Sequence, residues 1–199
     1  MTVRLSRLLI IFGAFAAGLV LCLSVIMIAT GQSPTSSMSQ IASIGGPFTL
    51  TDQDGRAVTD QDYKGKPFLV FFGFTHCPDV CPTTLFDVSE VLRKLGPDAE
   101  RTGALFITVD PDRDTPAALK DYIASFDPHL RGLTGDDNDI AAVAKAYRVY
   151  YRKVPLQGDD YTMDHTALVY LMGKDGHFVT AFNLKRRPEE AAADLRKYF

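Results

Sequence analysis

The sequence lacks a basic excess. Its formal charge is −3 at pH 7, and no Lys/Arg cluster combines with exposed aromatics. Nucleic-acid binding is therefore excluded on electrostatic grounds. Internal repeats are absent. Charge of either sign is missing from Leu8 to Ala29, a run of 22 residues, and no Lys or Arg occurs between Arg7 and Arg56. Cysteine is scarce, with three residues at Cys22, Cys77 and Cys81. What remains is ordinary globular composition, 46% hydrophobic and 23% charged, with room for one domain and an appendage.

The uncharged run is long enough to cross a hydrocarbon core of about 30 Å as a helix. Arg4 and Arg7 precede it, so the positive-inside rule puts the N-terminus in the cytoplasm and everything after Thr30 outside. The rival reading is a cleaved signal peptide, cut near Ala29-Thr30-Gly31. Signal h-regions usually run about 7–15 residues, which favours an uncleaved anchor. Leu21, not a small residue, precedes Cys22, so Cys22 is read as a small apolar residue of the span and not a lipoprotein site. Gly31 to Gly46 carries no charge and is rich in Gly, Ser, Thr, Gln and Pro, the composition of a flexible tether. The expected organisation is an anchor over 1–30, a linker over 31–45 and a globular domain over 46–199.

Within the domain, Asp54-Gly55 between two short apolar runs signals a hairpin. Phe68 to Phe74 reads as a buried strand and Thr83 to Leu95 as a helix stopped by Gly96-Pro97. Ala104 to Val109 reads as a second central strand. Thr115 caps a helix from Pro116 to about Phe126, and another helix spans about Asn138 to Arg148. Tyr147 to Lys153 alternates like an edge strand. Ala167–Met172 and His177–Asn183 form a hairpin across Gly173-Lys174-Asp175-Gly176, and Pro188 opens a last helix to about Lys197. This order implies an α/β fold with a mixed central sheet flanked by helices, and a thioredoxin-like architecture is the simplest that fits.

Cys77 and Cys81 fall in the turn from the first central strand into a helix N-terminus. Unpaired backbone N–H groups there favour negative charge, so lowered thiol pKa values are expected, suited to a nucleophile or to a soft-metal ligand. The bland alternative outside the cytosol is a disulfide, which would close a tiny loop and add little stability. The spacing differs from the C-x-x-C of thioredoxin-like oxidoreductases. Asp110 to Asp114 lacks the ligand pattern and closing Glu of an EF-hand and reads as an ion-paired loop and helix cap. Phe71, Phe72 and Phe74 read as core, with Phe74 placed to shield the thiols. His76 should point away from them, and His129 and His177 read as surface residues.

Gly46-Pro47-Phe48 with Asp54-Gly55, Cys77-Pro78-Asp79-Val80-Cys81-Pro82, Thr108-Val109-Asp110-Pro111 with Arg113-Asp114-Thr115, and Asp164-His165-Thr166 together resemble the Sco/SenC family of membrane-anchored copper proteins. The resemblance covers about Gly46 to Phe199. It implies a thioredoxin-like domain in the periplasm, or in the intermembrane space if the source is eukaryotic. There it binds one copper ion and helps metallate the binuclear copper centre of cytochrome c oxidase. The family's copper ligands carry over to Cys77, Cys81 and His165. The implied partners are the oxidase's copper-binding subunit and another copper chaperone or a thiol reductant.

The chemistry of the residues agrees. Thiolates select Cu(I) and imidazole also suits Cu(II), so two Cys and one His can serve both states. Asp164 is placed to orient His165 as a hydrogen-bond partner, or is solvated. A thiol–disulfide oxidoreductase is the main alternative, with Cys77 and Cys81 as its redox pair. A peroxiredoxin-like peroxidase ranks third, because the thiols lack a Thr-x-x-Cys context.

Overall fold

A computed structural model describes residues 2–29 and 44–199. Two compact units result, Met1–Ala42 and Ser43–Phe199. In the first, α1 (Thr2–Ala29) is a 28-residue helix. Its described side chains cover only positions 12–25, and among the described residues no helix is long and apolar enough to cross a membrane. The tether expected over 31–45, up to position 43, lies outside the described residues.

The second unit is built on a seven-stranded mixed sheet of order β2-β1-β5-β4-β3-β8-β9. Its strands are β1 (Thr49–Asp52), β2 (Ala57–Thr59), β3 (Phe68–Gly73), β4 (Ala104–Thr108), β5 (Leu130–Thr134), β8 (Val169–Met172) and β9 (Phe178–Ala181). β3, β4 and β5 run parallel, and the other pairings are antiparallel. Every residue of β3 and of β4 is buried. A strand buried on both faces needs cover on both, and so reads as a continuous apolar run. The helices α2 (Val80–Leu95), α3 (Pro116–Ile123), α4 (Asp137–Ala146) and α5 (Pro188–Arg196) provide it, with α2 against α5 and α3 across β5. The Asp54-Gly55 hairpin forms as expected, pairing Thr49 with Thr59, and Gly55 takes the φ of +78° that its turn requires.

Several elements differ from the sequence reading. α2 starts at Val80, not Thr83, and takes Pro82 into its first turn, where a missing N–H breaks no intrahelical bond. β5 was not expected. Gly132 interrupts its apolar pattern because a Cβ there would meet Leu119 Cβ at 3.3 Å, so α3 can cross closely. The strand expected at Tyr147–Lys153 lies later, as β6 (Tyr151–Pro155), and belongs to no main-sheet edge. It pairs with an unexpected β7 (Tyr161–His165) in a separate two-stranded ribbon. Tyr147 instead ends α4, buried against Phe72 with ring centroids 5.4 Å apart.

Candidate metal centre

The sheet's pleat decides what surrounds the thiols. β3 ends at Gly73, and a Cβ built there would meet Phe106 Cε2 at 2.6 Å and Cys81 Sγ at 2.8 Å. Glycine at this position lets the sulfur of α2 close onto the strand. Cys77, in the preceding turn, is half-buried, and its Sγ accepts a hydrogen bond from the backbone N–H of Cys81 at 3.3 Å. An unpaired N–H of the helix's first turn therefore points at Cys77 and not at Cys81.

That geometry corrects the expectation of a lowered pKa at both thiols. Cys81 is fully buried, and desolvation pushes its pKa well up, outweighing a hydrogen bond involving the Phe74 backbone. Cys81 is a neutral thiol in the metal-free state. A thiophilic ion would have to displace its proton, so loading should release protons.

His165 ends β7 and faces the same sulfur. Its Nε2 lies 3.5 Å from Cys81 Sγ, while Nδ1 lies 3.2 Å from the carbonyl oxygen of Thr166. A carbonyl only accepts, so Nδ1 carries the hydrogen and the Nε2 lone pair points at the thiols. Burial lowers the imidazole pKa, with the Thr166 carbonyl and Asp164 opposing more weakly. Phe74 and Phe71 close edge-on against the ring at 5.8 and 6.0 Å. Asp164 does not orient it. Its carboxylate is exposed and accepts from Arg152 at 2.9 Å, and Thr166 takes the orienting role.

The ligand atoms of Cys77, Cys81 and His165 all lie within 4.8 Å of one another. Among the described residues this is the one such grouping of three or more His, Cys, Asp or Glu donors. Two sulfurs and one imidazole suit a soft or borderline metal and leave a coordination position free. His76 is exposed beside Thr75, His177 is exposed, and His129 pairs with Asp127 and Glu100. Cys22 is exposed on α1.

The Asp110–Asp114 loop is ion-paired and capped as expected, with Arg113 on Asp110 and Thr115 accepting from Ala118 N at 3.2 Å. Sequence reasoning missed what it holds. Buried Asp114 accepts from Thr75 N at 3.0 Å, from Thr75 Oγ1 at 2.6 Å and from Thr108 Oγ1 at 2.6 Å. Thr75 opens the turn that carries Cys77. No local pattern announces a pair 39 residues apart.

A family model described as SCO1/SenC matches residues 36–199. The chain is 66% identical to ScoI of Bradyrhizobium japonicum, solved with copper bound, at a TM-score of 0.78, covering 79% of this chain and 100% of that one. It is 45% identical over 158 residues to the mitochondrial SCO1 homolog of Homo sapiens, covering 76% of this chain. The chain spans about half of that relative's length, 52%. The solved BsSco, a member of the Sco family of cytochrome c oxidase assembly proteins in which a disulfide switch is identified, is 25% identical at a TM-score of 0.62, covering 78% of this chain and 94% of that one.

Proposed function

This chain belongs to the SCO1/SenC family, and from that premise we propose that it is a copper metallochaperone for cytochrome c oxidase. Cys77, Cys81 and His165 hold one copper ion as cargo, and the free coordination position admits a donor or acceptor ligand from a partner. The carrying observation is the convergence of two sulfurs and a neutral imidazole within 4.8 Å. The acceptor is the oxidase's copper-binding subunit, and another copper chaperone or a thiol reductant prepares the site.

The anchor belongs to the same reading. Residues 1–30 hold the protein in the inner membrane behind Arg4 and Arg7, 31–45 act as a tether, and 46–199 present the site on the periplasmic or intermembrane-space side. The membrane contact is the 8–29 run.

Thiol–disulfide exchange is the second reading. Two thiols in one turn favour it, but the raised pKa of Cys81 slows its attack as a thiolate. His165→Ala separates the two. Cu(II) binding should fall much more than Cu(I) binding, because two thiolates hold Cu(I) while Cu(II) calls for the nitrogen donor. Reduction of a model disulfide should be little changed. Loss of oxidase assembly in copper-limited cells with reductase activity intact makes copper holding the essential role. Full assembly by the variant makes thiol reduction the function instead.

A further inference from the structure

β9 is the last strand of the sheet, so among the described residues its outer edge pairs with no other strand. Exposed edges are commonly blunted by proline, lysine or a bulge. β9 holds neither proline nor charge. Its one bulge falls at Val179, which has no partner between Phe178 opposite Met172 and Thr180 opposite Leu171. The extra residue aims Val179 to the same side as Thr180, and both line a cavity of about 420 Å³ between β9 and the C-terminal end of α5. Beyond the bulge the chain stays regular, with Phe182 N donating to Val169 O at 2.7 Å. Thr180 to Phe182 is thus an uncharged edge beside a cavity.

Leu171 and Phe182 give that cavity apolar lining, and Arg186, Asp194, Lys197 and Tyr198 line the rest. Asp194 pairs with both Arg186 and Lys197. Two cations share one carboxylate, which leaves an unbalanced positive charge on a chain of formal charge −3. An open edge alongside a helix suits strand addition by an extended peptide. Main-chain bonds then give affinity, and the groove selects alternate side chains. A second copy of the chain would not supply the missing negative charge, because Phe178 to Arg187 contains no Asp or Glu.

We propose that β9 is a docking edge for an extended segment of a partner protein, which adds a strand beside Thr180–Phe182 and sets an Asp or Glu side chain on Arg186 and Lys197. The proposal goes beyond the copper reading and is independent of it, since neither β9 nor α5 carries Cys77, Cys81 or His165.

The test titrates isotope-labelled full-length protein in detergent with the peptide Ser-Thr-Val-Glu-Val-Thr-Ser, acetylated and amidated so that Glu bears its only carboxylate. Amide resonances of β9 and of the end of α5 should shift saturably, and β9 amides should exchange more slowly. A peptide N-methylated at Glu and at the next Val, one of whose N–H groups must face β9, should bind about tenfold more weakly. Lys197→Glu should weaken the Glu peptide by about fivefold, and a peptide with Lys in place of Glu should recover that loss. Copper uptake by the variant should match the parent. On the parent alone, the Lys peptide should bind more weakly than the Glu peptide, a reading that needs no folded variant. Absent shifts in β9, or equal binding of the methylated peptide, overturn strand addition. Equal binding of the Glu and Lys peptides to the parent overturns the acidic partner. A parent dimer that Val179→Lys dissociates in sedimentation would mean that a second copy occupies the edge, and overturns the proposal. A parent that loads copper normally and ignores the peptide overturns this proposal alone.

Discussion

Cys77 and Cys81 hang from the centre of the seven-stranded sheet, whereas His165 arrives on a two-stranded ribbon outside it. The thiol side is fixed by apolar packing, with all of β3 buried and Leu85, Val88, Val91, Leu92 and Leu95 of α2 turned inward. The ribbon buries only Met163 of its ten strand residues. Two strands alone are marginal in water, so the ribbon depends on polar ties. Arg113 stacks over the Tyr161 ring at 3.8 Å and donates to its carbonyl oxygen at 3.0 Å. Tyr161 Oη donates to Asp110 Oδ1 at 2.7 Å, and Lys153 pairs with Asp112. The same loop therefore holds both halves, with Asp114 on the thiol turn and Asp110 and Arg113 on the ribbon. A site made from one rigid and one tied half can keep its sulfurs in place while its imidazole stays adjustable.

The largest expected effect comes from breaking the thiol half. Asp114→Ala removes the acceptor of three hydrogen bonds, from Thr75 N, Thr75 Oγ1 and Thr108 Oγ1, at about 3 kcal/mol in urea unfolding. Asp114→Asn, which keeps the shape, should lose clearly less. A loss under about 0.5 kcal/mol in the alanine variant would show that the turn holds itself.

Loosening the ribbon should cost less and stay local. Tyr161→Phe keeps the stacked ring but removes the bond to Asp110, at about 1 kcal/mol. Amide hydrogen exchange should quicken in β6 and β7 and stay unchanged in β3 and β4. Equal acceleration in β3 would mean that ribbon and sheet open as one unit.

The smallest effect is a pH slope that sharpens the contrast. Burial depresses His165, so the unfolded chain takes up a proton before the folded one does. Stability of the reduced, metal-free protein should therefore fall as pH drops below about 6.5. His129 runs the other way, because Asp127 and Glu100 raise its pKa and its contribution fades as pH rises. The difference between parent and His165→Gln isolates the first term. Between pH 7.5 and 5.5 the parent should lose up to about 1 kcal/mol more than the variant. Identical slopes would mean that the imidazole is solvated in the folded state.

The same contrast governs what the sequence could reveal. The thiol half was legible because Phe68–Gly73 is an unbroken apolar run and Gly96-Pro97 stops a helix with a clear buried face. β7 was not, since Tyr-Thr-Met-Asp-His has one buried residue in five and no alternation to read. His165 was reached through the family motif, not through periodicity. The helix N-terminus suggested lowered thiol pKa values, but the burial that raises Cys81 comes from packing against Gly73 and Phe106, which no local pattern records. Asp114 looked like part of a capped loop, and its hold on Thr75 needs β3 and the segment after β4 side by side.

Copper uptake with thiol counting tests the central claim most directly. Reduced full-length protein, titrated anaerobically with Cu(I), should bind one ion per chain. Two of its three thiols, Cys77 and Cys81, should become unreactive while exposed Cys22 stays accessible. Oxidation to a Cys77–Cys81 disulfide beforehand should abolish uptake, because a disulfide sulfur is a poor ligand. Unchanged copper affinity in the oxidised protein would contradict a site made of Cys77, Cys81 and His165.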